Sequence, residues 1–356
     1  MSFTDEHKKK ARDALFGGTG AVKEAVAEAV ATAFPKVFPP TVSGKMYSDV
    51  FGDYFDASKM QDFPLPDITG VIPEWAQGFI PETSDYWGES HVIYDAVVAY
   101  ALKSVTHLVG FPGTGKSEGL PKFLAHRLQL PLLRLGLNKK GMGLDDLIGR
   151  ESIENDDGVS VTRHRDGVLV KWVQMPSIIL ADEFARANVE ITNGLMSLME
   201  KDGKLIIENR HDPIIHRSKD CWILASDNVK GTGDSGVGMI GTDQLDGAVL
   251  DRFTCTIEVD YLPPEKSAGL LMRTIEGYPA KMARLLSLFG KRIQDAYKEG
   301  RLPISFSQRS MYAIALKSCV THDLNGSVRS VFLNRFDSDD KTFVAQVWQD
   351  ITGEEL

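Results

Sequence analysis

A chain of 356 residues with 40 Lys and Arg against 49 Asp and Glu has a net charge of −9. It is long enough for two or three modules with a sizeable core, and too acidic for a broad electrostatic grip on nucleic acid. No apolar run reaches the roughly 18 to 20 residues of a spanning helix, since Ala96–Val109 is interrupted by Lys103, and the N-terminus lacks the apolar core of a signal peptide. A protein of the cytoplasm, without membrane contact, is expected.

Taken in chain order, Met1 to about Phe34 reads as helical. The alanine-rich stretch Ala21–Phe34 sets Val22, Val26, Val30 and Phe34 on nearly one face, suited either to a partner or neighbouring subunit or to the helix's own domain. Pro35, Pro39 and Pro40 end it. Thr41 to about Trp87 is rich in Pro, Asp and aromatic residues with little periodicity, which predicts an irregular but ordered segment wrapped on the main domain. The three cysteines, Cys221, Cys255 and Cys319, have no metal-ligand spacing and are expected to be buried, reduced thiols.

Glu89–Lys103 predicts a helix leading to the stretch that organises the chain, Thr106–Ser117, a short apolar strand running into a glycine-rich loop. Gly110, Pro112, Gly113, Thr114, Gly115, Lys116 and Ser117 form the pattern G-x-x-x-x-G-K-S, in which backbone amides and a helix N-terminus present fixed positive charge to a phosphate. Lys116 would reach the β- and γ-phosphates and Ser117 would ligate Mg²⁺. A helix should follow to about Leu128, although Gly119 and Pro121 then fall in its interior, where proline removes a hydrogen bond. The strand Leu132–Gly136 completes a β-α-β unit. Val159–Val170 has hairpin character, and its cluster Arg163, His164 and Arg165 is either solvated surface or a substrate-facing insertion.

Ser177–Ala187 supplies the second half of the site: an apolar strand delivers Asp182 to the Mg²⁺ shell, and Glu183 would orient and polarise the attacking water. In isolation the two carboxylates could equally cap the next helix, but the glycine loop upstream favours the chemical role. The strand Cys221–Asn228 ends in a polar residue able to reach the γ-phosphate or the water. Arg252 precedes a further strand, Cys255–Asp260, and beyond Pro263 and Pro264 the chain reads as mainly helical, with Arg309 near the start of one helix. Gly231–Gly241, with five glycines, is expected to be a mobile loop near a ring surface or pore.

In order, these elements resemble Walker A, Walker B, sensor 1, arginine finger and sensor 2 of the AAA+ ATPases. Asp182-Glu-Phe-Ala-Arg-Ala187 looks like the Asp-Glu-Ile-Asn-Arg-Ala signature of the MoxR type, with Phe184 and Ala185 departing from it, and the insertion at about Gly141–Met175 is similar to the helix-2 insert of that clade. Ser226–Asp234, Gly241–Leu245 leading into Asp251–Phe253, Tyr261–Pro263 and Phe332–Asp337 resemble the CobS-type subunits of aerobic cobaltochelatases, a likeness covering roughly Ile80 to Gly353.

The resemblance implies an α/β fold: an AAA+ P-loop NTPase core, its parallel sheet flanked by helices (residues 81–262), a C-terminal helical lid domain (263–356) and an N-terminal extension (1–80). It also implies ATP and Mg²⁺ as ligands, a homo-hexameric ring or helical assembly, and a von Willebrand A-domain partner. Residue by residue, it makes Asn228 sensor 1, Arg252 the finger supplied in trans, Arg309 sensor 2, and Arg186 a second intersubunit contact. The expected function is an ATP-driven motor that remodels a partner or assists metal insertion, a cobaltochelatase ATPase subunit being the narrower form. The alternatives are an McrB-like nucleic-acid translocase, which the negative charge disfavours, and a scaffold that barely hydrolyses ATP, which Glu183 argues against.

Overall fold

Aromatic side chains pack the irregular stretch at residues 42–82 on itself and, through Phe51 and Phe123 with centroids 6.0 Å apart, on the rest of the described residues. The computed structural model describes residues 42–82, 86, 88–138, 141–156, 159–228 and 245–356. The helix expected at Ala21–Phe34, the loop expected at Gly231–Gly241, and Trp87 lie outside these residues. Helices α1 (Tyr47–Phe51) and α2 (Glu74–Gln77) punctuate the opening stretch. Tyr47 stacks on Phe51 and Phe63 with ring centroids 5.1 and 5.3 Å apart, geometry that adds to the apolar area each ring buries. Asp220 anchors the same stretch by accepting hydrogen bonds from the Thr69 and Gly70 amides at 2.8 and 2.9 Å.

After α3 (Ser90–Ala101) come β1 (Thr106–Val109), α4 (Gly119–Leu128), β2 (Leu132–Gly136), α5 (Leu144–Ile148), β3 (Gly149–Asp156), β4 (Val159–Asp166), α6 (Val168–Val173) and β5 (Ser177–Asp182). Then follow α7 (Val189–Met199), β6 (Lys204–Ile206), β7 (Ile214–His216), β8 (Cys221–Asp227), α8 (Gly247–Leu250) and β9 (Cys255–Glu258). Five of these strands make one parallel sheet in the order β2-β5-β8-β1-β9. Strands β1, β5 and β8 are buried along their whole length, which explains why they are apolar runs without alternation. The register sets Val109 beside Asp227, Asp182 beside Ser226 and Gly136 beside Asp182, so the carboxyl ends of four strands form one edge. Strand β8 lies between β1 and β5, and its end is thus flanked by the glycine loop and the paired carboxylates.

Four expectations are corrected in detail. Helix α4 begins at Gly119, so Pro121 sits in its first turn, where no intrahelical donor is needed, and does not kink an interior. Gly119 is there because a Cβ would fall 2.7 Å from the Tyr86 ring. The hairpin is β3 with β4, starting at Gly149, and Val168–Val170 is helical. Strand alternation splits the basic cluster: the His164 side chain turns inward beside Asp166 at 3.8 Å, while Arg163 and Arg165 lie on exposed positions. Of the cysteines only Cys221 is buried; Cys319 is exposed.

The chain then continues as α9 (Pro264–Thr274), α10 (Ala280–Lys298), α11 (Gln308–Thr321), α12 (Leu324–Val331) and α13 (Ser338–Thr352). Their core is centred on Phe289, which meets Phe306 and Trp348 edge-on at 5.3 and 5.2 Å. Pro264 occupies the first position of α9, and Ser307 and Asp323 cap α11 and α12 by accepting from Ser310 and Gly326 amides. Among the described residues no helix is long and apolar enough to cross a membrane.

Where β1 meets the glycine loop the backbone is crowded: a Cβ on Gly110 would lie 2.1 Å from the Val259 carbonyl oxygen, a main-chain atom that cannot rotate away. Gly110→Ala is therefore expected to lower stability by about 1–3 kcal/mol, read as a fall in the denaturant midpoint with unchanged slope.

Candidate functional site

The edge formed by the strand ends opens into a cleft of about 870 Å³, closed on its other side by the C-terminal helices. Every residue singled out above as ligand-binding or catalytic lines this cleft except Gly110, which shapes the loop from behind, and Arg252. Gly113 and Gly115 both have left-handed φ, +81° and +93°, and a Cβ on Gly113 would lie 2.4 Å from the Ser307 Cβ. The loop is thereby packed against the start of α11, the helix that brings Arg309 to the cleft. Arg309 makes no hydrogen bond or ion pair to another described residue, leaving a charged donor group for a ligand.

Lys116 is only 4% exposed and donates from Nζ to the Phe111 carbonyl at 2.8 Å. Burial pushes its ammonium down to about 8, and the carboxylates of Asp182, Asp227 and Glu183 pull the other way. Ser117 Oγ donates to Asp182 Oδ1 at 2.6 Å, and Ser226 donates to the same oxygen. The second oxygen, Asp182 Oδ2, accepts from Arg134 Nε at 2.9 Å. Burial would raise the Asp182 carboxyl, but the hydrogen bonds from Ser117, Ser226 and Arg134 outweigh it and hold the group below the usual carboxylate range.

Glu183 sits in the left-handed region at φ 57° and ψ 47°, costly for a side-chain-bearing residue. Its Oε2 accepts from Asn138 Nδ2 at 2.7 Å and from Arg186 at 3.2 Å, so Arg186 is engaged within its own chain. Asn228 lies at the cleft just beyond β8, between the loop and the carboxylates. Arg252 faces elsewhere: Nε pairs with Glu200 at 3.0 Å and Nη1 donates to the Ala248 carbonyl at 2.6 Å.

Sequence reasoning missed Arg134, Asn138 and Asp227. Arg134 had a signal, a cation inside an otherwise apolar strand. Asn138 and Asp227 had none, because their partners are distant in sequence and close only through the sheet register.

A hydroxyl and a carboxylate 2.6 Å apart are hard oxygen donors of the kind Mg²⁺ accepts. Among the described residues no group of three or more His, Cys, Asp or Glu could hold a metal by itself. A divalent ion at Ser117 and Asp182 would therefore complete its shell with water or ligand oxygens, as Mg²⁺ on a nucleotide does.

A family profile described as "AAA domain (dynein-related subfamily)" matches residues 106–253, the stretch from the start of β1 to Phe253. The chain is 26% identical over 293 residues to the aerobic cobaltochelatase subunit CobS of a Sinorhizobium species, covering 80% of this chain and 87% of that one. Residues 106–253 are thus an AAA domain, and the chain is similar to CobS over most of its length. The matched AAA+ domain holds the glycine loop and the paired carboxylates described above. Solved structures similar to this chain include a RuvB point mutant of Thermotoga maritima, with a TM-score of 0.47, 14% identity and coverage of 77% and 81% of the two chains. The S. cerevisiae Hsp104:casein complex in its extended conformation matches with a TM-score of 0.45 and 13% identity, covering 67% of this chain and 45% of that one.

Proposed function

We propose that this chain is the ATP-hydrolysing subunit of a ring-forming motor that remodels a partner protein or assists metal insertion, working with a von Willebrand A-domain protein. The observation that carries the proposal is the convergence of Lys116, the Ser117–Asp182 pair, Glu183, Asn228 and Arg309 on one cleft, with Arg252 directed away from it. Such a site holds every group needed for phosphoryl transfer to water except a second arginine, which a neighbouring subunit would supply.

In this reading the glycine loop and Lys116 bind the β- and γ-phosphates, and Ser117 and Asp182 hold Mg²⁺, which neutralises phosphate charge when bound. Glu183 takes the proton of the water it orients, Asn228 fixes that water or the γ-phosphate, and Arg309 reports the γ-phosphate to the C-terminal helices. The hydrogen bond from Asn138 keeps the Glu183 carboxylate occupied until a nucleotide draws it inward. Residues 1–80, 81–262 and 263–356 are the extension, nucleotide-binding and lid parts of this motor. A narrower reading, a cobaltochelatase ATPase subunit, is favoured by the relative of that name matching over 87% of its length.

A site completed in trans makes turnover depend on assembly. Phosphate release per subunit is expected to rise steeply with protein concentration, in step with an ATP-dependent shift to larger species in sedimentation velocity. Full turnover by a dilute monomer would sink the proposal.

A further inference from the structure

Arg252 is separated from its own nucleotide cleft, yet the residue after it is wedged beneath that cleft. Phe253 is 7% exposed and stacks on the His107 ring with centroids 4.5 Å apart and planes 19° from parallel. Its other ring contact is edge-on with Phe184 at 5.5 Å, in the turn that follows Glu183. His107 lies on β1, immediately before the glycine loop, is 1% exposed, and bonds through Nε2 to Asp227 Oδ2 at 2.7 Å. The second oxygen of Asp227 accepts from the Ala185 amide at 2.7 Å, in the same turn. Thus β1, the end of β8 and the turn carrying Glu183 are joined by one buried carboxylate, and Phe253 stands on the imidazole that this carboxylate holds.

We propose that His107 and Phe253 are positioning residues that brace Arg252, the arginine offered to the neighbouring subunit, on the strand and turn that carry this subunit's own glycine loop and Glu183. The inference rests on the trans role proposed above for Arg252. The two ends of the arginine are held with different strengths. Its guanidinium donates to the Ala248 carbonyl and pairs with Glu200, whose side chain is 58% exposed, and contacts of this kind at the surface are weak, typically about 1 kcal/mol or less each. A γ-phosphate presented by a neighbour therefore displaces Glu200 readily. The base of the arginine is anchored by a buried aromatic stack and stays in place, so the side chain swings about a fixed point. Its base is thereby tied to β1 and to the turn that follows Glu183.

The test is a subunit-mixing assay with separated roles. Glu183→Gln subunits bind ATP and donate an arginine but hydrolyse at least ~100-fold more slowly; Arg252→Ala subunits hydrolyse only with a neighbour's arginine. Recovery of turnover in that mixture establishes the trans role, and its absence overturns both that role and the brace. Phe253→Leu is then added to the donor or to the acceptor. The brace predicts that turnover falls about tenfold or more when the change is on the donor, since small misplacement of a catalytic group is costly. On the acceptor, which offers no arginine, the loss of turnover should be about fivefold or more smaller than on the donor. Equal loss on both sides, or none on the donor, overturns the brace while leaving the trans role intact. His107→Gln, which keeps a hydrogen bond to Asp227 and removes the stacking ring, repeats the comparison should Phe253→Leu fail to fold, and is expected to show the same donor-side loss.

Discussion

Glu183→Gln is expected to bind ATP with undiminished affinity and to hydrolyse it at least ~100-fold more slowly, the usual scale of a lost general base. Glutamine keeps the length of the side chain and can still accept the hydrogen bond from Asn138 Nδ2, now 2.7 Å from Glu183 Oε2. What it loses is the capacity to take a proton. The groups proposed to bind phosphate, Lys116, Ser117 and the loop amides, are untouched, so binding and turnover should separate cleanly. The left-handed backbone at this position makes the same point: a conformation that costs about 1–3 kcal/mol persists only where surroundings enforce it, and here the enforcing contacts hold the turn, through the Ala185 amide, on Asp227. Single-turnover phosphate release alongside filter binding of labelled ATP measures both quantities. Turnover near that of the native chain would move the water-orienting role to another group at the cleft, Asn228 or Asp182 first. The slow variant also offers a trap: in native extracts with ATP and Mg²⁺ it should retain whatever the proposed motor acts on, and mass spectrometry of the retained proteins would distinguish a von Willebrand A-domain partner from nuclease subunits with DNA.

The glycine loop was legible because its requirement is local. Gly113 and Gly115 need positive φ, and spacing alone then places Lys116 and Ser117. The three central strands of the sheet, β1, β5 and β8, were legible for a similar reason, since strands buried on both faces must be apolar throughout. The beginning of the β3–β4 hairpin was not: Gly149–Asp156 is polar apart from Ile153, and its pairing with Val159–Asp166 comes from the register, not from hydrophobic alternation. Asn138, Asp227 and the partner of Arg134 were hidden by the same kind of distance. Asp182 meets Arg134 only because β2 and β5 are neighbours, and Asp227 meets His107 only because β8 inserts beside β1. Arg252 does lie just before a strand, as its sequence context suggests, but nothing local indicated that Phe253 would stack under the cleft.

Lys116→Met should produce the opposite pattern from a simple loss, a nucleotide-free chain more stable than the native one that no longer binds ATP. Burial lowers the Lys116 ammonium from its ordinary value of 10.5 to about 8. A difference of that size corresponds to a cost on the order of 3 kcal/mol for keeping the charge in the folded chain at neutral pH. Methionine fills the same space without the charge and gives up the hydrogen bond to the Phe111 carbonyl, worth about 1 kcal/mol. The net gain should be about 1–2 kcal/mol. Its pH dependence has a definite sign. Below about 8 the lysine is charged both folded and unfolded, and the full cost is present. Between about 8 and 10.5 the folded chain has released its proton while the unfolded chain still holds one, so the native protein gains stability as pH rises and the gap to Lys116→Met closes. Urea unfolding of both chains at pH 7 and near pH 10 tests this directly, while titration with a fluorescent ATP analogue should show affinity weakened by ~100-fold or more from loss of a buried charged contact. Equal stability of the two chains at pH 7 would mean that the cleft hydrates the ammonium fully, and the charge would then not be held at a cost for phosphate to relieve. A gap that closes with pH would instead show that the site stores, in an unfavourably buried cation, part of the free energy with which it takes up a phosphate.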